Sequence, residues 1–134
     1  LMKVFATVIL SLFILSLSAQ DNIHVFKSSN LNVNLKGEKI ETNTAEPSTI
    51  TVDLGASTAT IQTSSTEIHE LLRGKMVLNI DKQMGAIGPQ DSLQLDEFIF
   101  AHFYMDMQMI IFTRNDIHPL EWGLQFLEIE KVGG

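Results

Sequence analysis

The stretch from Phe98 to Arg114 limits the fold more than any other part of the chain. One parity reads Ile99, Ala101, Phe103, Met105, Met107, Met109, Ile111 and is wholly apolar. The other reads Phe98, Phe100, His102, Tyr104, Asp106, Gln108, Ile110, Phe112, Arg114, with apolar ends and a polar middle. Side chains alternate between faces along a strand, so this is the pattern of a sheet with one face on a core. Its 17 residues exceed a usual strand. The pattern therefore reads as a hairpin with a tight turn near Met105 to Gln108, in preference to one long bent strand, although no glycine marks the turn.

The same period of two recurs elsewhere. Leu31, Val33 and Leu35 alternate with polar residues before a turn at Lys36-Gly37-Glu38-Lys39, and Ile40 restarts an extended segment. Residues 42–48 read as a polar loop. Ile50, Val52 and Leu54 alternate, Gly55-Ala56-Ser57 turns the chain, and Ala59, Ile61 and Thr63 follow. Ser64-Ser65 reads as a turn, Thr66 to Leu72 as a short extended piece, and Met76, Leu78 and Ile80 as a strand. Met84 to Pro89 holds two glycines and a proline, the composition of a long loop. Leu93 and Leu95 suggest a short strand. Trp122, Leu124 and Phe126 change parity to Leu127 and Ile129, which predicts a bulge. Eight threonines between 42 and 66 favour a pleated surface over a helix. The fold class is all-β: a small antiparallel meander of seven to nine strands, closing into a barrel or a two-sheet sandwich.

The first residues read differently. Lys3 precedes an apolar run from Val4 to Leu15, then Ser16-Leu17-Ser18-Ala19-Gln20 supplies small residues. This is the layout of a cleaved signal peptide, residues 1–19, with cleavage after Ala19. The run is short of the 20 or so residues that span a bilayer. The Ser-Leu-Ser-Ala-Gln-Asp ending resembles the leaders of exported Bacteroidota proteins. Residues 20–134 form one small β domain, exported to the periplasm or beyond the cell, with no stable membrane insertion after cleavage.

The chain has no cysteine. Disulfide frameworks, thiol enzymes and Cys-ligated metal centres are therefore excluded, and the core alone carries stability. The net charge of −7 becomes −8 without Lys3, which disfavours nucleic acid and anionic lipid as partners.

The chemistry-bearing residues are few. Met105, Met107 and Met109 place three thioethers on one face of an extended strand, as filler for the core or, alternatively, as soft ligands for Cu(I). This Met-x-Met-x-Met run is similar to those of Met-rich periplasmic copper proteins. His102, Tyr104 and Asp106 share the opposite face, and with Trp122 they form a candidate ligand-binding set. Glu128 and Glu130 suit a solvated edge better than a catalytic pair. There is no Gly-x-Ser-x-Gly, no phosphate loop and no dinucleotide fingerprint. The expectation is a non-catalytic binding or interaction module for a small apolar ligand or a protein partner, with no cofactor. A periplasmic hydrolase using His and carboxylates and a Met-based copper carrier are the alternatives.

Overall fold

The computed structural model describes residues 22–81 and 87–133. The leader and residues 82–86 of the expected Met84–Pro89 loop lie outside the described residues. Among those described, nine strands follow in order: β1 (Ile23–Leu35), β2 (Glu38–Asp53), β3 (Thr58–Gln62), β4 (Val77–Asn79), β5 (Gln90–Leu95), β6 (Ile99–Tyr104), β7 (Met109–Arg114), β8 (Trp122–Leu127) and β9 (Glu130–Gly133). One helix, α1 (Thr66–Leu71), lies between β3 and β4, and a 3-10 turn covers Met105–Met107.

The strands form one antiparallel sheet in the order β4-β3-β2-β1-β8-β7-β6-β5, with β9 also pairing to β1. The antiparallel all-β expectation holds. The outer strands of this path touch at a single point. Ile80 bridges Leu95, and Asp81 N–H and Asp96 N–H donate to the carbonyls of Gln94 and Asn79 at 2.9 and 2.7 Å.

Local chemistry explains the turns. Lys36 and Gly37 both have positive φ, 54° and 83°, as a two-residue hairpin between right-twisted strands requires. The β6–β7 hairpin turns through Met105–Met107 and Gln108, whose φ is 51°. Tyr104 and Met109 are its last pair.

Residues 42–48 are not a loop. They continue β2, and the irregularity is a register shift opposite Ser28 and Asn30 of β1. Thr66 to Leu72 is not extended. Ile68, Leu71 and Leu72 stand at helical spacing and are all buried, and Ser65 caps the helix by accepting from Ile68 N–H. β1 begins at Ile23, earlier than the alternation from Asn30 implies.

The β1 irregularity has a structural purpose. Before it, His24, Phe26 and Ser28 face inward; after it, Leu31 and Val33 do. It also marks the point where β1 passes from β8 (Asn30 opposite Leu127) to β9 (Lys27 opposite Glu130). Ser28 Oγ lies 2.6 Å from the Leu127 carbonyl, and Glu128 takes φ 52° on the other side. The predicted parity change near Phe126-Leu127 is this junction, and Ile129 returns to the core.

The core is one cluster fed by every strand from β1 to β8 and by α1. Phe26, Phe103, Phe112 and Phe126 are fully buried; Phe26 and Phe103 rings lie 5.7 Å apart, Phe112 and Phe126 5.5 Å. The interior is thus filled by side chains, and concavities occur at the ends of the strands.

Candidate functional site

The most developed concavity lies where β6 begins and β7 ends. It has a volume of about 520 Å³. Leu71 at the end of α1, its C-cap Leu72, Phe98, Ile99 and Trp122 supply its apolar surface. A second depression of about 430 Å³ continues on the other side of Leu71, Arg73, Arg114 and Trp122, which line both. The two form one groove divided by these four residues.

Arg114 is held in the middle of it. Its guanidinium carbon stands 5.8 Å from the centroids of both the Phe98 and Trp122 rings, within cation–π range. Two hydrogen bonds of 2.9 and 2.6 Å run from its Nε and guanidinium nitrogen to Asp116. Those bonds hold the Asp116 carboxyl below the usual range. Arg73 reaches the groove because α1 stops there. Arg73 and Gly74 have φ of 52° and 75°, and their N–H groups donate to Glu70 and His69 carbonyls. A residue at positive φ directly after a helix is a common C-terminal cap, more often glycine than arginine.

The charge around the groove is mixed. Arg73 and Lys75 stand on the α1 side, and Asp81, Asp96 and Glu97 on the β4–β5 side. Among the described residues the one ion pair is Arg114 with Asp116. Both arginines of the chain and its single tryptophan are therefore in this groove.

Of the four expected ligand-binding residues, Trp122 alone is here. His102 and Tyr104 lie on the face of β6 opposite the buried Ala101 and Phe103. His102 Nδ1 is 2.8 Å from Ser92 Oγ, its Nε2 is 3.0 Å from Thr113 Oγ1, and its ring stacks on Phe100 at 6.3 Å. Burial lowers its pKa. Asp106 is exposed in the 3-10 turn. These positions do not form one site.

The methionine row is corrected. The turn at Met105 to Gln108 breaks the alternation, so inward parity passes from Ala101 and Phe103 on β6 to Ile110 and Phe112 on β7. Met105 is half-buried, Met107 is 69 % exposed and Met109 is half-buried on the outward parity of β7. Three sulfurs on one strand face do not occur. Sequence reading missed the groove because its residues come from six separated segments. The one available signal was a pair of arginines in a chain otherwise short of them.

No protein-family model, curated protein or solved structure matches the chain.

Proposed function

We propose that this protein is an exported, non-catalytic binding module whose binding site is the groove around Arg114 and Trp122. The observation that carries the reading is an arginine within cation–π distance of two aromatic rings, with Arg73 and Lys75 on one bank and Asp81, Asp96 and Glu97 on the other, none of these five in an ion pair among the described residues. A site with an apolar floor and charge of both signs is complementary to a peptide-like zwitterion carrying an apolar side chain. Polar groups that converge on an apolar pocket fix a ligand's orientation. The acidic chain, at net −7, argues against nucleic acid as the partner. Export rests on the leader, and no helix among the described residues is long and apolar enough to cross a membrane.

The support for binding exceeds that for the alternatives. His102 meets the hydroxyls of Ser92 and Thr113 on the outward face of β6, away from the groove around Arg114. The methionines are spread over the two ends and the exposed crest of a hairpin turn. We also propose that the sheet is a barrel, with the Ile80–Leu95 bridge as its seam. The support is that each consecutive pair from β1 to β8 except β4 and β5 is hydrogen-bonded, that β1 pairs with β8, and that the path's two ends, β4 and β5, meet at this bridge.

Trp122, the one tryptophan, reports occupancy. Titration with the dipeptide Leu-Phe is expected to change its fluorescence saturably. N-acetyl-Leu-Phe-amide, which lacks both charges, should bind about tenfold more weakly, and Arg73→Gln should weaken the zwitterion by a similar factor. No saturable change, or equal binding of the charged and uncharged forms, overturns the reading.

A further inference from the structure

The opposite end of the strands holds a second, smaller cavity of about 240 Å³, lined by His24, Phe26, Ile87, Gly88, Pro89, Met105 and Lys131. His24 shares the inward face with Phe26 by strand alternation, and the β1 irregularity brings that face to the same side as Leu31 and Val33. His24 is 9 % exposed, and both its ring nitrogens are buried without a hydrogen-bond partner among the described residues. Buried polar groups are nearly always satisfied, so an imidazole ring with both nitrogens unsatisfied is not explained by packing alone.

The walls are shaped independently of His24. Phe26 is fixed against Phe103, and Met105 N–H donates to the Pro89 carbonyl at 2.9 Å, which ties the hairpin turn to the segment entering β5. Phe26, Ile87, Pro89 and Met105 offer water few partners. Lys131, exposed on β9, closes the rim.

We infer that this cavity is a binding site for a compact monocarboxylate with an apolar body. A neutral imidazole offers one N–H donor, and the Lys131 ammonium supplies the matching charge. Burial, and then the nearby Lys131, keep His24 from protonating, so it presents the neutral ring at pH 7. The same ammonium repels a metal cation, which sets this site apart from a His–Met copper centre. The volume is below that of a drug-sized pocket and suits a single ring.

Benzoate is the test probe, followed through the His24 ring nitrogens by long-range proton–nitrogen NMR. Benzoate should move these signals saturably and raise the His24 pKa, since a carboxylate beside the ring favours its charged form. Benzyl alcohol and benzylamine should bind about tenfold more weakly or worse, as should benzoate to Lys131→Met. His24→Phe, which fills the cavity with an apolar ring, should abolish binding, whereas Arg73→Gln should leave it unchanged. Unmoved His24 signals, equal binding of benzyl alcohol, or loss of benzoate binding in Arg73→Gln but not in Lys131→Met overturns the inference.

Discussion

At His24 the proposed carboxylate site and stability oppose each other in a single residue. An unsatisfied buried polar group costs on the order of 1–3 kcal/mol. Replacing the ring by an apolar side chain removes that cost while keeping part of the packing. His24→Leu is therefore expected to stabilise the protein by about 1 kcal/mol, measured as a higher urea midpoint at an unchanged slope. A lower midpoint would mean that the ring finds partners in solution. The pH dependence has a definite sign. His24 and His102 both have folded pKa values below the ordinary 6.5, mainly through burial. On acidification the unfolded chain takes up these protons first, so stability falls as pH drops through 6.5 and levels out below the folded pKa values. Glu67 and Asp116 are carboxylates with lowered pKa, so their contribution is lost only at more acid pH. Unfolding free energies measured between pH 7.5 and 5.5 should decline, and the double variant His24→Leu, His102→Gln should flatten the curve. Gly37 is a simpler case. A Cβ added there meets nothing within 4 Å, so Gly37→Ala pays only for its φ of 83°, about 1 kcal/mol by thermal unfolding.

At the scale of elements, α1 sets the groove by ending where it does. Ser65 accepts from Ile68 N–H at 3.4 Å, and its hydroxyl donates to Glu67 at 3.0 Å. Ser65→Ala should cost about 1 kcal/mol by urea unfolding. Since Leu71, Leu72 and Arg73 follow from the same helix, it should also weaken Leu-Phe binding; an unchanged affinity would separate the helix from the site. This helix was not read from the sequence: Ile68, Leu71 and Leu72 behind a capping serine have helical spacing, but a run of threonines before them masks the change of period. The β6–β7 hairpin was legible because its apolar residues alternate on both sides of the turn. Its inward face was not, because a four-residue turn ending in Gln108 at positive φ resets the parity without any glycine to announce it. The strand through residues 42–48 was hidden for a related reason: its polar sequence falls at the register shift between the Ser28–Ser48 and Asn30–Asn43 pairs.

At the scale of the molecule, eight sequential strands pack one core and leave recesses at both ends of the strands. Alternation made the all-β class readable from the chain alone. The two proposed sites were not readable, because each joins residues far apart in sequence: Arg73 with Arg114, and His24 with Met105 and Lys131. If the β4–β5 bridge is a true seam, the Asp81 and Asp96 amides should exchange with solvent far more slowly than exposed turn amides, though faster than those of the doubly paired β1. Exchange as fast as in the turns would leave the sheet open in solution. The most direct test of the central claim is an amide chemical-shift map of the protein titrated with Leu-Phe. The account predicts saturable shifts at Arg73, Glu97, Phe98, Arg114 and Trp122, with the His24 end of the strands unmoved. Shifts scattered over the surface, or centred on His102 and Tyr104, would contradict it.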